Sequence, residues 1–150
     1  MAGMDGQMKI AIVGTSHTLT KNEEQDIEQY ITNIISKYGI GDEIISGGAK
    51  GVDTLGLEVA KGLGFKTEVY EPEVNEWTPP NGKIGYKKRN LKIAKTCDEL
   101  YCITIPKRKG EPECYHHDPP QDHTKTAGCW TLKEALKLGK TTHLMVITAR

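Results

Sequence analysis

The sequence is informative first through what it lacks. No apolar run in its 150 residues approaches the roughly 20 needed to span a bilayer, so neither a membrane-spanning helix nor a membrane partner is expected. Residues 1–7 show no basic region leading into an apolar stretch, so a secretory signal is not expected and the expected compartment is the cytoplasm. Twenty Lys and Arg balance twenty Asp and Glu. With no net charge there is no broad field to draw in nucleic acid, which disfavours that partner, although a local patch can do the same work. A single phenylalanine leaves few rings for the stacking platform of a single-strand groove. Neither the Walker pattern nor GxGxxG occurs, which disfavours an ordinary NTPase or dehydrogenase. CxxC pairs are also absent.

What is present is alternation. Met8–Val13 (MKIAIV) is a continuous apolar run ending at Gly14, as suits a strand buried on both faces. Asn22–Tyr38 has helical spacing through Ile27, Tyr30, Ile31, Ile34, Ile35 and Tyr38, with Thr20 or Asn22 as its cap. Strands are expected at Glu43–Ser46, Lys66–Tyr70, Glu99–Ile105 and Thr142–Ile147. Helices are expected at Val52–Leu63, with Gly62 or Gly64 ending it, at Tyr86–Thr96 and at Thr126–Leu138. The order predicts an α/β fold: a Rossmann-like, three-layer α/β/α domain over residues 1–150, with a mainly parallel sheet of about five strands. One long polar insertion, at about residues 106–125, carries four prolines and three of the five histidines.

Three glycine-containing segments follow expected strands and open into helices. They are Gly14-Thr15-Ser16, Ser46-Gly47-Gly48-Ala49-Lys50-Gly51 and Thr126-Ala127-Gly128-Cys129. In a parallel sheet all three fall on one edge, where ligands of such folds bind. A missing side chain lets backbone approach an anion, and N–H groups at a helix start point towards it. Taken singly, each segment is equally a tight turn.

The residues also resemble a known family. IAIVGTS, IISGGAKGVDTLGLEVAKGLG and the Trp77–Asn90 segment WTPPNGKIGYKKRN are similar to the SLOG superfamily, which includes the DNA-processing protein DprA and the lonely-guy-type enzymes. SGGAKGVD is close to the SGGARGID-type motif of DprA. The order Trp77, Gly85, Arg89, Asn90 resembles the small YspA- or YpsA-related branch, in which a tryptophan precedes a G-x-x-RN helix start. The similarity covers Lys9 to about Ile105 and resumes at Thr126. It implies a Rossmann-like fold with a nucleotide or nucleic-acid phosphate site at these loops. Lonely-guy-type enzymes cleave a nucleotide N-glycosidic bond through a signature that looks like PGGxGTxxE. Here TAGCWTLKE places Cys129 at the threonine and Leu132 at the glutamate, with Glu134 two residues late. That departure counts against hydrolase activity.

Several residues near the loops carry a specific expectation. Lys50 sits among the phosphate-facing amides. Asp53, in the first turn of its helix, either accepts ribose hydroxyls or serves the helix dipole. Lys87, Lys88 and Arg89 oppose the dipole of their helix, a cost that makes a phosphate-pairing role for the planar Arg89 fork credible. Asn90, by the resemblance, orients the loop or contacts base or ribose. Trp77 either stacks on a base or pins its proline-rich loop.

Four cysteines complete the inventory. Cys97 and Cys102 read as core thiols. Cys114, His116, His117, His123 and Cys129 offer soft and imidazole ligands for tetrahedral zinc, at a spacing that matches no standard finger. The alternative is a polar loop with solvated histidines.

The reading that results is a binding module for a nucleotide or nucleotide-derived small molecule. The expected site comprises Gly14, Thr15, Ser16, Ser46, Gly47, Gly48, Ala49, Lys50, Gly51, Asp53, Trp77, Arg89, Asn90, Gly128 and Cys129. An N-glycosidic hydrolase is the alternative, needing a carboxylate such as Asp53, Glu73 or Glu76. DprA-like binding of single-stranded DNA ranks third. A homo-oligomer is compatible with the sequence, which identifies no interface.

Overall fold

The computed structural model describes residues 8–148; the segment 1–7, on which the secretory-signal expectation rests, lies outside them. The chain alternates as β1 (Lys9–Gly14), α1 (Lys21–Ile35), β2 (Glu43–Ser46), α2 (Val52–Gly62), β3 (Lys66–Val69), α3 (Tyr86–Thr96), β4 (Glu99–Thr104), α4 (Ala127–Lys137) and β5 (Thr141–Val146). All five strands are parallel, in the order β3-β2-β1-β4-β5. The chain therefore winds outward from β1 to β3, crosses back, and winds outward again from β4. The reversal lies between β1 and β4, the point at which α/β sheets open a crevice at their carboxyl ends.

Side-chain alternation along the strands sorts the core into two layers. Ile10 and Ile12 face one side with Tyr101 and Ile103, packed against Ile27, Ile31 and Ile35 of α1 and Val52, Leu55 and Ala60 of α2. Ala11 and Val13 face the other with Leu100 and Cys102, under Ile93 and Ala94 of α3 and Leu132 and Ala135 of α4. This is the expected Rossmann-like three-layer architecture. Cys97 and Cys102 are fully buried, and all four cysteines are free thiols. Among the described residues no helix is long and apolar enough to cross a membrane.

Element ends follow local chemistry. Thr20 caps α1 in a full capping box: its hydroxyl accepts from the Glu23 amide and the Glu23 carboxylate accepts from the Thr20 amide. The helix stops at Ile35 rather than Tyr38, and the Tyr38 hydroxyl instead donates to Glu99 at 2.5 Å. The last position with helical spacing, Tyr38, thus packs half-buried from a turn. In α2, Gly62 is the last helical residue, and Gly64, at φ +90°, makes the left-handed exit.

The insertion after β4 is ordered without being a strand or helix. Thr124 N–H donates to Ile105 O at 2.9 Å, and Cys114 and Gln121 exchange two antiparallel hydrogen bonds at 2.8 and 3.1 Å. Glu111 pairs with His17 at 2.6 Å, and Arg108 reaches the buried Glu23 at 3.2 Å. The segment is tied to the β1–α1 connection and to the start of α1.

Candidate ligand-binding cleft

Three loops leave the carboxyl ends of β1, β2 and β4 and meet at the switch point. The first begins where a side chain has no room: a Cβ on Gly14 would lie 1.9 Å from Ile103 O. Thr15 then turns inward. It is fully buried, donates its N–H to Ile103 O at 3.0 Å, and its hydroxyl accepts from the His17 amide. Ser16 remains exposed at the cleft mouth.

The second loop wraps a carboxylate. Asp53 is buried, and the amides of Gly47 and Ala49 are near enough to favour its charged form. Burial pushes its pKa up to about 6, against the opposing pull of the Arg89 charge, then those two amides, then the Ser46 hydroxyl. That hydroxyl also lies 2.5 Å from Ile12 O, and its one proton serves one acceptor at a time. Gly47 fits only as glycine: a Cβ would lie 2.7 Å from Arg89 Nη1 on one side and 3.0 Å from Asp53 Oδ2 on the other. The loop expected to face an anion thus also encloses a carboxylate of the protein itself.

Arg89 sits one turn into α3, buried at the cleft wall. Its Nη1 donates to Gly47 O at 2.6 Å and to Tyr70 O at 3.2 Å, and its Nε donates to Asn90 Oδ1 at 2.6 Å. Among the described residues no acceptor takes Nη2. The guanidinium lies 5.3 Å from the centre of the Tyr86 ring. Burial lowers its pKa and Asp53 raises it, and guanidinium stays charged throughout the range in which proteins fold. The first amides of α3, from Tyr86 and Lys87, donate to Glu76 O and Trp77 O at 2.8 and 3.1 Å. This helix thus presents its arginine to the cleft rather than those two N–H groups.

The third loop closes the opposite wall. The Thr126 hydroxyl accepts from the Gly128 amide at 3.0 Å and donates to Gly14 O at 2.9 Å. A Cβ on Gly128 would lie 2.9 Å from Gly14 N, so two glycines let β1 and α4 touch.

The cleft between these loops measures about 550 Å³. Gly14, Ser16, Gly47, Gly48, Ala49, Lys50, Asp53, Trp77, Arg89, Asn90 and Gly128 of the expected set line it. Thr15, Ser46, Gly51 and Cys129 do not. Thr15, Ser46 and Cys129 are fully buried, and Gly51, at φ +86°, packs on Thr15 O. Trp77 is 38 % exposed at the rim, edge-on to Trp130 at 5.0 Å. Its carbonyl accepts from the Lys87 amide at the start of α3, and the residue also lines the cleft.

The sequence reading missed Tyr86, Glu71, Asn75 and Thr126 as lining residues. Tyr86 was within reach, since it precedes Arg89 and Asn90 by three and four helical positions and shares their face. Glu71 and Asn75 lie in an aperiodic, proline-rich loop that gives no such signal. Of the other carboxylates weighed, Glu73 accepts from the Ile84 amide at 2.7 Å, and Glu134 pairs with exposed Lys137. Beyond Trp77 a second cavity of about 490 Å³ is lined by Tyr115, His116, Lys125, Trp130 and Lys133.

Behind the third loop, ligand atoms of Cys114, His117, His123 and Cys129 lie within 4.8 Å of one another. His116, the fifth expected ligand, is outside this group; its ring lies against Tyr115 at 4.6 Å and faces the second cavity. Adjacent residues in that turn point in different directions, and only His117 is turned towards His123.

No protein-family model and no curated protein matches the chain. Solved structures do, and two of them illustrate the match. The structural-genomics protein TM1055 superposes with a TM-score of 0.60 at 17 % identity, over 90 % of this chain and 72 % of that one. DNA processing protein A (DprA) from Streptococcus pneumoniae superposes with a TM-score of 0.56 at 18 % identity, over 91 % of this chain and 50 % of that one. The chain spans about half the length of DprA, and over that half it shares DprA's Rossmann-like fold.

Proposed function

We propose that the cleft binds a nucleotide or nucleotide-derived ligand, with Arg89 on its phosphate. The observation that supports this most directly is the guanidinium itself. It is buried at the topological switch point and fixed through Nη1 and Nε, with no described acceptor for Nη2. A preoriented planar cation at that place suits phosphate. Exposed Lys50 adds a second cation at the rim, and Tyr86 and Trp77 supply faces for a base. The cavity is of the size that takes small molecules.

Titration calorimetry with AMP, ADP and NAD tests the reading. Saturable binding of at least one is expected, weakened at least tenfold, or about 1.4 kcal/mol, in Arg89→Ala. Lys50→Ala, which touches only an exposed side chain, weakens it several-fold and guards against loss of folding in the first variant. No binding of any of the three to folded protein at millimolar concentration overturns the proposal. Free base appearing during the titration would point to the hydrolase alternative, with Asp53 and Glu71 as the carboxylates in the cleft.

A second reading, single-stranded nucleic acid laid across both cavities, is favoured by one observation. The outer cavity is lined almost wholly by aromatic and basic side chains. Oligonucleotide binding that weakens steeply with salt, and that Trp130→Ala impairs without affecting mononucleotide binding, would support it.

A further inference from the structure

We propose that Cys114, His117, His123 and Cys129 bind one zinc ion that fixes the 105–126 segment to the first turn of α4. The donor set is two thiols and two imidazoles, the combination that selects zinc in tetrahedral geometry over the hard cations that prefer oxygen. Zinc–sulfur bonds of about 2.3 Å and zinc–nitrogen bonds of about 2.0 Å place tetrahedral ligand atoms roughly 3.3–3.8 Å apart. The four donor atoms already lie within 4.8 Å of one another, and His117 Nε2 and His123 Nε2 are 3.1 Å apart. A small contraction around the ion completes the site.

The surroundings match a metal site beyond the four ligands. His123 Nδ1 lies 3.0 Å from Thr124 O. An Nδ1–H donating there leaves the Nε2 lone pair aimed at the centre of the cluster, which is how a ligating histidine is usually held. Cys114, Cys129 and His123 are at most 1 % exposed. Four protein ligands with three of them buried leave no open coordination position, so the ion is structural rather than catalytic. Two thiolates also balance its charge.

The segment has reason to need such a tie. Apart from Ile105 at its start, Cys114 is its one hydrophobic contribution to the buried core. A polar stretch of this length gains little from apolar burial to offset the entropy of ordering it. Cys129 belongs to the first turn of α4, directly after Thr126, Ala127 and Gly128 on the cleft wall. The ion would thus brace that wall from behind. The proposal stands independently of what the cleft binds.

The test is the metal content of the full chain, purified under reducing conditions without chelator from zinc-supplemented medium. About one zinc per chain is expected. Cys114→Ser and His123→Ala should lose most of it, while His116→Ala and Cys97→Ser retain it. His117→Ala changes a half-buried loop residue and leaves the core intact. It should hold zinc at least a hundredfold more weakly in competition with a chelating dye. Cobalt substitution should give the thiolate charge-transfer and tetrahedral d–d bands in the wild type and not in Cys114→Ser. Failure of folded wild-type protein to take up zinc on reconstitution overturns the proposal, as does undiminished zinc in His117→Ala. A Cys114–Cys129 or Cys102–Cys129 disulfide as the native state overturns it too, since Cys102 Sγ lies 3.8 Å from Cys129 Sγ.

Discussion

The two walls of the cleft are built on different principles. The β2–α2 wall is five residues of loop, and its shape is set by positions where only glycine fits: Gly47 between Arg89 and Asp53, and Gly51 against Thr15 O. The β4–α4 wall is backed by a segment of some twenty residues, held by cross-links among side chains distant in sequence: His17 to Glu111, Arg108 to Glu23, and the thiol–imidazole cluster. A short loop concentrates its specification in a few backbone conformations. A long one relies on contacts between side chains far apart in sequence, of which the partly exposed ion pairs are individually weak.

The sharpest way to break this contrast is at Gly51. Alanine there combines a φ of +86° with a Cβ 2.4 Å from Thr15 O, a backbone atom that cannot swing aside. Gly51→Ala is expected to lower unfolding stability by about 3 kcal/mol or more, read by urea denaturation. A loss under about 1 kcal/mol would mean that the short wall, too, is shared out among many contacts.

Next in size is a pH effect of opposite sign on the two walls. The Asp53 pKa rises from 3.8 to about 6, chiefly through burial. Between those values the folded chain holds a proton that the unfolded chain has lost. This group's contribution to stability therefore falls as pH rises through that window. Above it the carboxylate costs on the order of 3 kcal/mol. Asp53→Asn should remove that slope, and an identical pH profile for variant and wild type would contradict the assignment. Glu111 runs the other way: the Arg108 amide and then His17 hold it below the ordinary carboxylate value of 4.5. Its stabilisation is present above that value and is lost as pH falls. Mild acid is thus expected to relax the insertion while favouring the Asp53 wall, a divergence that residue-resolved hydrogen exchange would display.

The smallest effect is expected from His17→Ala, which removes the bond to Glu111 between two partly exposed side chains. Stability should change by less than about 1 kcal/mol, with faster amide exchange confined to residues 105–126. Faster exchange spreading to Gly47–Gly51 would show that the walls are not independent.

The fold was legible in the sequence because parallel strands buried on both faces read as apolar runs. MKIAIV needs no alternation to be a strand when both its faces are covered. The glycine loops were legible as places, since Gly14 and Gly128 sit where backbones touch and Gly47 where the Arg89 and Asp53 side chains close in. Their contents were not. That the Gly47 and Ala49 amides lie near Asp53 depends on a residue beyond the loop, and burial of Thr15 and Ser46 depends on neighbouring strands. Helical periodicity extends the face of Arg89 and Asn90 back to Tyr86. The Cys/His ligand set was visible as composition, but the turn that excludes His116 and admits His117 is a tertiary fact.

One consequence of the Arg89 geometry concerns mechanics. A single guanidinium nitrogen holds the carbonyls that directly follow β2 and β3, at Gly47 and Tyr70. The side chain proposed to meet the phosphate is therefore also the clasp between an inner strand and the exposed edge strand of the sheet. A ligand that draws the guanidinium forward even slightly must lengthen one of those bonds. Occupancy of the cleft would then be felt as slackening at the β3 margin, well outside the ligand's own footprint.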